Sequence, residues 1–282
     1  MRNLIDAIET IVRQESRAVV DPSFSSNRAN ASGESLENYL KDAFADSFGL
    51  SKTGRDQKRS EIFSYLGNNS NPPDAILRGS YAIEVKKIES SSSDLALNSS
   101  YPKDKLYATD KSISKACRKC EKWDAKEMLY AVGVVGKNDK ILHSLFFVFG
   151  TDYCADKEVY EKVKNIVKDA VNEIKSLDLA ETEELGRVIK VDPLEITYMR
   201  VRGMWHVKNP MVHFKDYYSV PKETGFYLAC IIDEAKLTEM GNSDILDSLE
   251  KEFETFTIKD IKIANPNNPA VLKNAKFILY YS

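Results

Sequence analysis

Asn71-Pro72-Pro73-Asp74-Ala75-Ile76-Leu77-Arg78-Gly79-Ser80-Tyr81-Ala82-Ile83-Glu84-Val85-Lys86-Lys87 is the stretch around which this chain is organised. Ala75 to Leu77 and Tyr81 to Ile88 are largely apolar or aromatic, and Arg78-Gly79-Ser80 places a glycine between them, so the segment reads as two short strands joined by a tight turn. Residues equidistant from Gly79 then face each other, which sets Asp74 opposite Glu84. Side chains alternate along a strand, so Ile83 and Val85 point to a core while Glu84 and Lys86 share the other face. Cross-strand partners sit with Cβ atoms roughly 5 Å apart, so the two carboxylates repel and need cationic compensation beyond Lys86. A hard divalent ion with oxygen ligands, Mg²⁺ first, suits that need. An ordinary solvated sheet face would use the same three residues.

Around this hairpin lie Phe63-Ser64-Tyr65-Leu66-Gly67-Asn68-Asn69-Ser70, Lys87-Ile88-Glu89-Ser90, Leu95-Ala96-Leu97-Asn98-Ser99-Ser100 with Pro102-Lys103, Lys115-Ala116-Cys117-Arg118 and Glu121-Lys122-Trp123. Ser26 to Asn30 and Gly33 to Tyr39 upstream, and Tyr153-Cys154-Ala155-Asp156 downstream, complete the set. Together they resemble the NgoPII-type type II restriction endonucleases of the PD-(D/E)xK nuclease superfamily, most strongly over residues 27 to 156. The superfamily motif alone is short; the extended run is specific. The resemblance implies an α/β fold with a restriction-endonuclease-like mixed central sheet flanked by helices and an added C-terminal recognition region. It implies Mg²⁺-dependent hydrolysis of both strands of double-stranded DNA at GGCC, between the central G and C, leaving blunt ends with 5′ phosphates. Asp74 and Glu84 would be the metal ligands, Lys86 the catalytic lysine, and a cognate DNA methyltransferase the functional partner, without physical binding.

Composition sets the outer bounds. With 43% apolar residues, 282 residues suffice for one sizeable core. No apolar run is long enough to span a bilayer, and Asp6 and Glu9 interrupt the first apolar segment, so neither a membrane span nor a signal peptide is expected. The sparse cysteines at 117, 120, 154 and 230 favour reduced thiols and a cytoplasmic protein; Cys117 and Cys120 have a zinc-like spacing, but no second pair completes a site. A net charge of −3 argues against indiscriminate nucleic-acid binding, yet it sums over unlike regions. Residues 198 to 215 hold four Lys/Arg and no acid, 103 to 122 hold seven against three, and 152 to 184 hold ten acids against five lysines. A basic cleft with an acidic back has this distribution, as does scattered solvated charge.

Residues 3 to 14 read as an amphipathic helix, 21 to 33 as loop, and Ser32 or Gly33 to Phe48 as a second helix with Leu36, Leu40, Ala43 and Phe44 inward. Glu37 lies off that stripe. A glutamate on the first core helix approaches the metal in many members of the superfamily, so Glu37 joins the catalytic candidates; a solvent-facing glutamate is the alternative. Met128 to Val135 and Ile141 to Phe149 read as covered strands, and Glu158 to Leu177 as a helix whose Val159, Val163, Ile166, Val167 and Ile174 cover the sheet. The chain is expected to be one endonuclease domain, with a catalytic core over residues 27–180 and a recognition subdomain over 185–282, including strands near 188–191, 195–201, 225–232 and 275–281.

Two segments are candidates for DNA contact. Asn98, Ser99, Ser100 and Lys103 offer small polar groups and a lysine suited to phosphate or base edges, as an ordinary surface turn would. In Met199-Arg200-Val201-Arg202-Gly203-Met204-Trp205-His206, Arg200 and Arg202 share a strand face from which a guanidinium can read guanine O6 and N7. They serve equally to bind phosphate or to stack on Trp205; His206 and His213 are secondary candidates. A palindromic target favours a homodimer. A structure-specific resolvase or repair nuclease, and a non-catalytic DNA-binding module, are the competing functions.

Overall fold

A computed structural model describes residues 2–19, 31–68, 70–97 and 99–282, with the side chains of 31–34 excepted. The loop expected at 21–33 lies mostly outside the described residues, as do the matching stretch 26–30 and Asn98.

Three helices open the chain: α1 (Leu4–Arg13), α2 (Ala31–Ala45) and α3 (Lys52–Ile62). Asn3 caps α1, its side chain accepting from the Ile5 N–H at 2.8 Å while Asp6 accepts from the Asn3 N–H at 2.7 Å. Strands β1 (Phe63–Tyr65), β2 (Ala75–Leu77), β3 (Ala82–Ile88), β4 (Leu95–Ala96) and β5 (Lys105–Tyr107) follow, then α4 (Lys115–Lys119), β6 (Ala125–Val135), β7 (Leu142–Phe149) and α5 (Lys157–Asn172). The last part contains β8 (Gly186–Val188), β9 (Met199–Val201), β10 (His206–Val207), α6 (Pro210–His213), β11 (Tyr227–Asp233), α7 (Glu234–Met240), α8 (Asp244–Glu252), β12 (Phe256–Asn265) and β13 (Asn268–Tyr281).

The main sheet runs β1-β2-β3-β6-β7-β11-β13-β12, with β5 added beside β6. β3 is parallel to β6 and β7 to β11, while the other neighbours are antiparallel, so the sheet is mixed as expected. Its central strands β6, β7 and β11 are buried on both faces, which explains their continuous apolar runs. On one face, Leu4, Ile8 and Ile11 of α1, Leu36, Leu40 and Phe44 of α2, and Leu246 and Leu249 of α8 cover Ile83, Leu129 and Phe147. On the other, Met211 and Phe214 join Ile76, Met128, Val132, Phe146 and Phe277, with Phe214 stacked on Phe146 and Tyr218 on Phe277. No helix among the described residues is long and apolar enough to cross a membrane.

One expectation needs correction. α5 does not cover the sheet: none of its residues is buried, and Val159, Val163, Ile166 and Val167 are 41–59% exposed. Short α6 and the aromatic segment after it pack on the sheet face opposite α1 and α2. The central sheet runs on past residue 180: β11 adds in parallel to β7, and β13 and β12 extend it further. Residues 227–281 therefore complete the central sheet. Only the short strands β8, β9 and β10 in this last part lie outside it.

Candidate active site

The hairpin forms in the expected register. Ala75 pairs with Ile83 and Ile76 with Ala82, and the Asp74 N–H donates to the Ile83 carbonyl at 3.0 Å. Gly79 takes φ +65°, a left-handed conformation that L side chains resist, and the Ser80 N–H closes the turn on Leu77 O at 3.0 Å. Glu121 accepts from the Gly79 N–H and Lys126 donates to Ser80 O, pinning the tip to the neighbouring strand.

Asp74 enters β2 from a loop with little freedom. Asn68 Oδ1 accepts from the N–H groups of Ser70 and Asn71, and Asn71 Nδ2 donates to Ser112 O at 2.9 Å. Gly67, at φ +78°, packs so closely that a Cβ there would lie 2.3 Å from the Asp74 carbonyl oxygen. Asp74 Oδ2 in turn accepts from the Val85 N–H at 2.7 Å, tying the carboxylate to the partner strand.

Glu84 and Lys86 are half-buried on β3, and Lys86 Nζ donates to Glu84 Oε1 at 2.7 Å. The second oxygen, Glu84 Oε2, is buried and has no hydrogen-bond partner. Burial, then the charges of Glu84 and Glu37, push the Asp74 carboxyl up to about 8. Burial works to lower the Lys86 pKa, but Glu84, Asp74 and Glu37 outweigh it and hold it above the ordinary lysine value, so Lys86 is an ammonium.

Glu37 belongs to this constellation. With Lys41, one turn along α2, it lines the small cleft that also exposes Asp74 and Val85. Lys41 lies 3.5 Å from Glu37 and donates to Leu66 O at 2.9 Å. Lys41 was not singled out by sequence, although its spacing from Glu37 on one helix face was visible. Among the described residues no three His, Cys, Asp or Glu side chains form a metal-binding group. Two carboxylates, one with an orphaned buried oxygen, nonetheless fit Mg²⁺, which commonly takes one or two carboxylates with the remaining positions on water and phosphate.

The two expected DNA-facing segments meet. β4 and β10 form their own ladder, His206 opposite Ala96 and Val207 opposite Leu95, extended by the Leu97 N–H on Trp205 O at 2.8 Å. Fully buried Asn209 ties the same region to the loop after β3, donating to Ser91 O at 2.8 Å. This brings exposed Ser99, half-exposed Ser100 and exposed His206 to one side of the molecule. Lys103 is 9% exposed, its Nζ pairs with Asp110 at 3.1 Å and it lies over the Tyr101 ring, so its charge is balanced inside the fold. His213 is exposed, its ring 4.5 Å from that of Phe214.

Arg200 on β9 and Arg202 just after it are half exposed, but both grip Glu184: Arg200 through Nε and Nη2 at 2.7 and 2.6 Å, Arg202 through Nε. The partnership of Glu184 with two arginines sixteen and eighteen residues away depends on the β8–β9 pairing. Of the cysteines, 117, 154 and 230 are buried, and all four are free thiols.

A mixed sheet with flanking helices and additional C-terminal strands is the restriction-endonuclease-like α/β class. The chain belongs to the NgoPII restriction endonuclease family, whose model matches residues 2–264. It is 50% identical over 279 residues to the type II restriction enzyme NgoPII of Neisseria gonorrhoeae, covering 99% of each chain. No solved structure matches.

Proposed function

We propose that this protein is a type II restriction endonuclease that cuts both strands of double-stranded DNA at GGCC, between the central G and C, using Mg²⁺ held by Asp74 and Glu84. The observation that carries the reading is the buried, unpartnered Glu84 Oε2 beside Asp74 on a hairpin that also bears Lys86. Two carboxylates forced together with only the Lys86 ammonium to offset them are a cost to the fold that a bound cation reduces. Family membership and the near full-length likeness to a type II restriction enzyme support the same reading.

The bound ion would neutralise the scissile phosphate and acidify a water. Lys86, held as an ammonium by its neighbouring carboxylates, is suited to stabilise the negative charge that develops on phosphorus oxygens rather than to abstract a proton. Glu37 raises the cost of ionising Asp74 in the absence of a cation, and Lys41 anchors Glu37 from the same helix. Ser99, Ser100 and His206 form one DNA-facing edge; Arg200 and Arg202 join it once DNA phosphate or guanine replaces Glu184 as their acceptor. Recognition is assigned to the part of 185–282 outside the central sheet. The palindromic site is read by a homodimer in the cytoplasm, where a cognate methyltransferase protects host DNA.

Digestion of phage DNA with purified protein and Mg²⁺, followed by sequencing of fragment ends, tests the proposal. One repeated GGCC site with blunt ends is expected. Uniform degradation, cleavage confined to branched DNA, or no cleavage with any divalent ion overturns it.

A further inference from the structure

Helix α5 presents a stripe that the described residues leave open. Val159, Val163, Ile166 and Val167 recur at helical spacing and are 41–59% exposed, and Ile174, just past the helix end, is 42% exposed. The stripe continues onto Met204, 65% exposed, which shares a cleft of about 290 Å³ with Val163, Val167, Arg202 and Trp205. α5 is tethered to the junction before β8, Lys168 Nζ donating to Thr182 O at 2.8 Å, so the stripe is held in place beside the segment assigned to recognition. A contiguous apolar face of this kind on a folded chain marks an interaction surface.

We propose that a second copy of this chain docks on the α5 face, the two helices antiparallel about a two-fold axis. Charge points to this occupant. Residues 152–184 carry ten acids against five lysines, which disfavours DNA phosphate as the cover. At 100° per residue, Lys162 and Glu173 fall on the same edge of the stripe. A two-fold axis perpendicular to the helices matches each edge to the same edge of the copy, running in reverse. Lys162 then meets Glu173 of the partner subunit, and the symmetric contact repeats on the other side of an axis near Val167. The placement also sets the two Trp205–His206 segments on either side of one axis, as a palindromic site requires. That last point rests on the GGCC reading; self-association does not.

Sedimentation velocity of the full chain, without DNA or metal, therefore tests the interface apart from the nuclease activity. The parent protein is expected to sediment as a dimer. Ile166→Glu, at a position exposed in the single chain, is expected to give a monomer with unchanged circular dichroism. Lys162→Glu and Glu173→Lys each replace two attractive contacts by two repulsive ones and weaken association by roughly tenfold. The double variant Lys162→Glu/Glu173→Lys restores parental association. A monomeric parent, a dimer indifferent to Ile166→Glu, or a double variant no better than the singles overturns the proposal. So does Ile166→Glu weakening DNA binding with sedimentation unchanged, which assigns the face to DNA.

Discussion

Asp74→Asn is expected to stabilise the metal-free protein while removing its activity, and the size of the effect follows from the site. In the folded chain the Asp74 carboxyl is pushed up from 3.8 to about 8, first by burial and then by Glu84 and Glu37. The folded state therefore keeps a proton that the unfolded chain releases, and the stability present below pH 3.8 is lost as pH rises through 8. At about 1.4 kcal/mol per pK unit the ceiling is roughly 6 kcal/mol. Asparagine shares part of the desolvation and accepts the Val85 N–H less strongly, so about 2–3 kcal/mol is the working figure. At an unfolding entropy of about 2.1 cal/mol/K per residue, this is roughly 3–5 °C in Tm. Thermal unfolding of parent and variant in chelator, from pH 5 to pH 9, isolates the carboxylate cluster because titrations elsewhere in the chain cancel in the difference. The variant's advantage should open between pH 5 and 8, level off above, and shrink when Mg²⁺ is added. An advantage that is constant across pH, or that narrows as pH rises, refutes the account of the carboxylate pair.

Glu84→Gln and Asp74→Asn should cut the cleavage rate by orders of magnitude while GGCC binding in Ca²⁺ persists in gel-shift assays; near-parental rates in folded protein remove the metal site. Lys86→Ala should slow single-turnover cleavage, and a rate equal to the parent's excludes Lys86 from the chemistry. Glu184→Gln frees Arg200 and Arg202, so DNA affinity should rise and the slope of log K against log salt steepen by about one to two units; an unchanged slope means that the arginines do not reach phosphate. Lys103→Met leaves Asp110 buried without its cation and should cost about 3 kcal/mol in urea unfolding, with DNA affinity unchanged. Weaker DNA binding at parental stability would instead restore Lys103 as a contact.

The hairpin was legible because two local signals agreed: a glycine able to take φ +65° at the tip, and Ile83 and Val85 alternating with Glu84 and Lys86. Strands β6, β7 and β11 were legible from apolar runs, since both sides of each are covered. β12 was missed because its outer positions Lys259, Asp260 and Lys262 break the run, and its pairing with β13 is what makes it a strand. α5 shows the limit of periodicity, which identifies an apolar stripe without saying what covers it. Lys103 and Arg200 show the same limit for charge. Both are cations in basic stretches, yet one pairs with Asp110 inside the fold and the other with Glu184 at its surface. Those acids are neighbours only once the chain has folded.

Gly67 gives the molecule a second kind of indispensable position. It carries no chemistry, yet any side chain there would be driven into the backbone of Asp74, and its φ of +78° penalises substitution independently. In a saturation screen scored by loss of cleavage, Gly67 should be as intolerant as the acids themselves, and a ranking by intolerance alone would draw the catalytic centre too large. Libraries built to alter sequence preference would do best to fix residue 67 and spend their diversity on β9 and β10, whose exposed side chains can change without moving the scissile machinery.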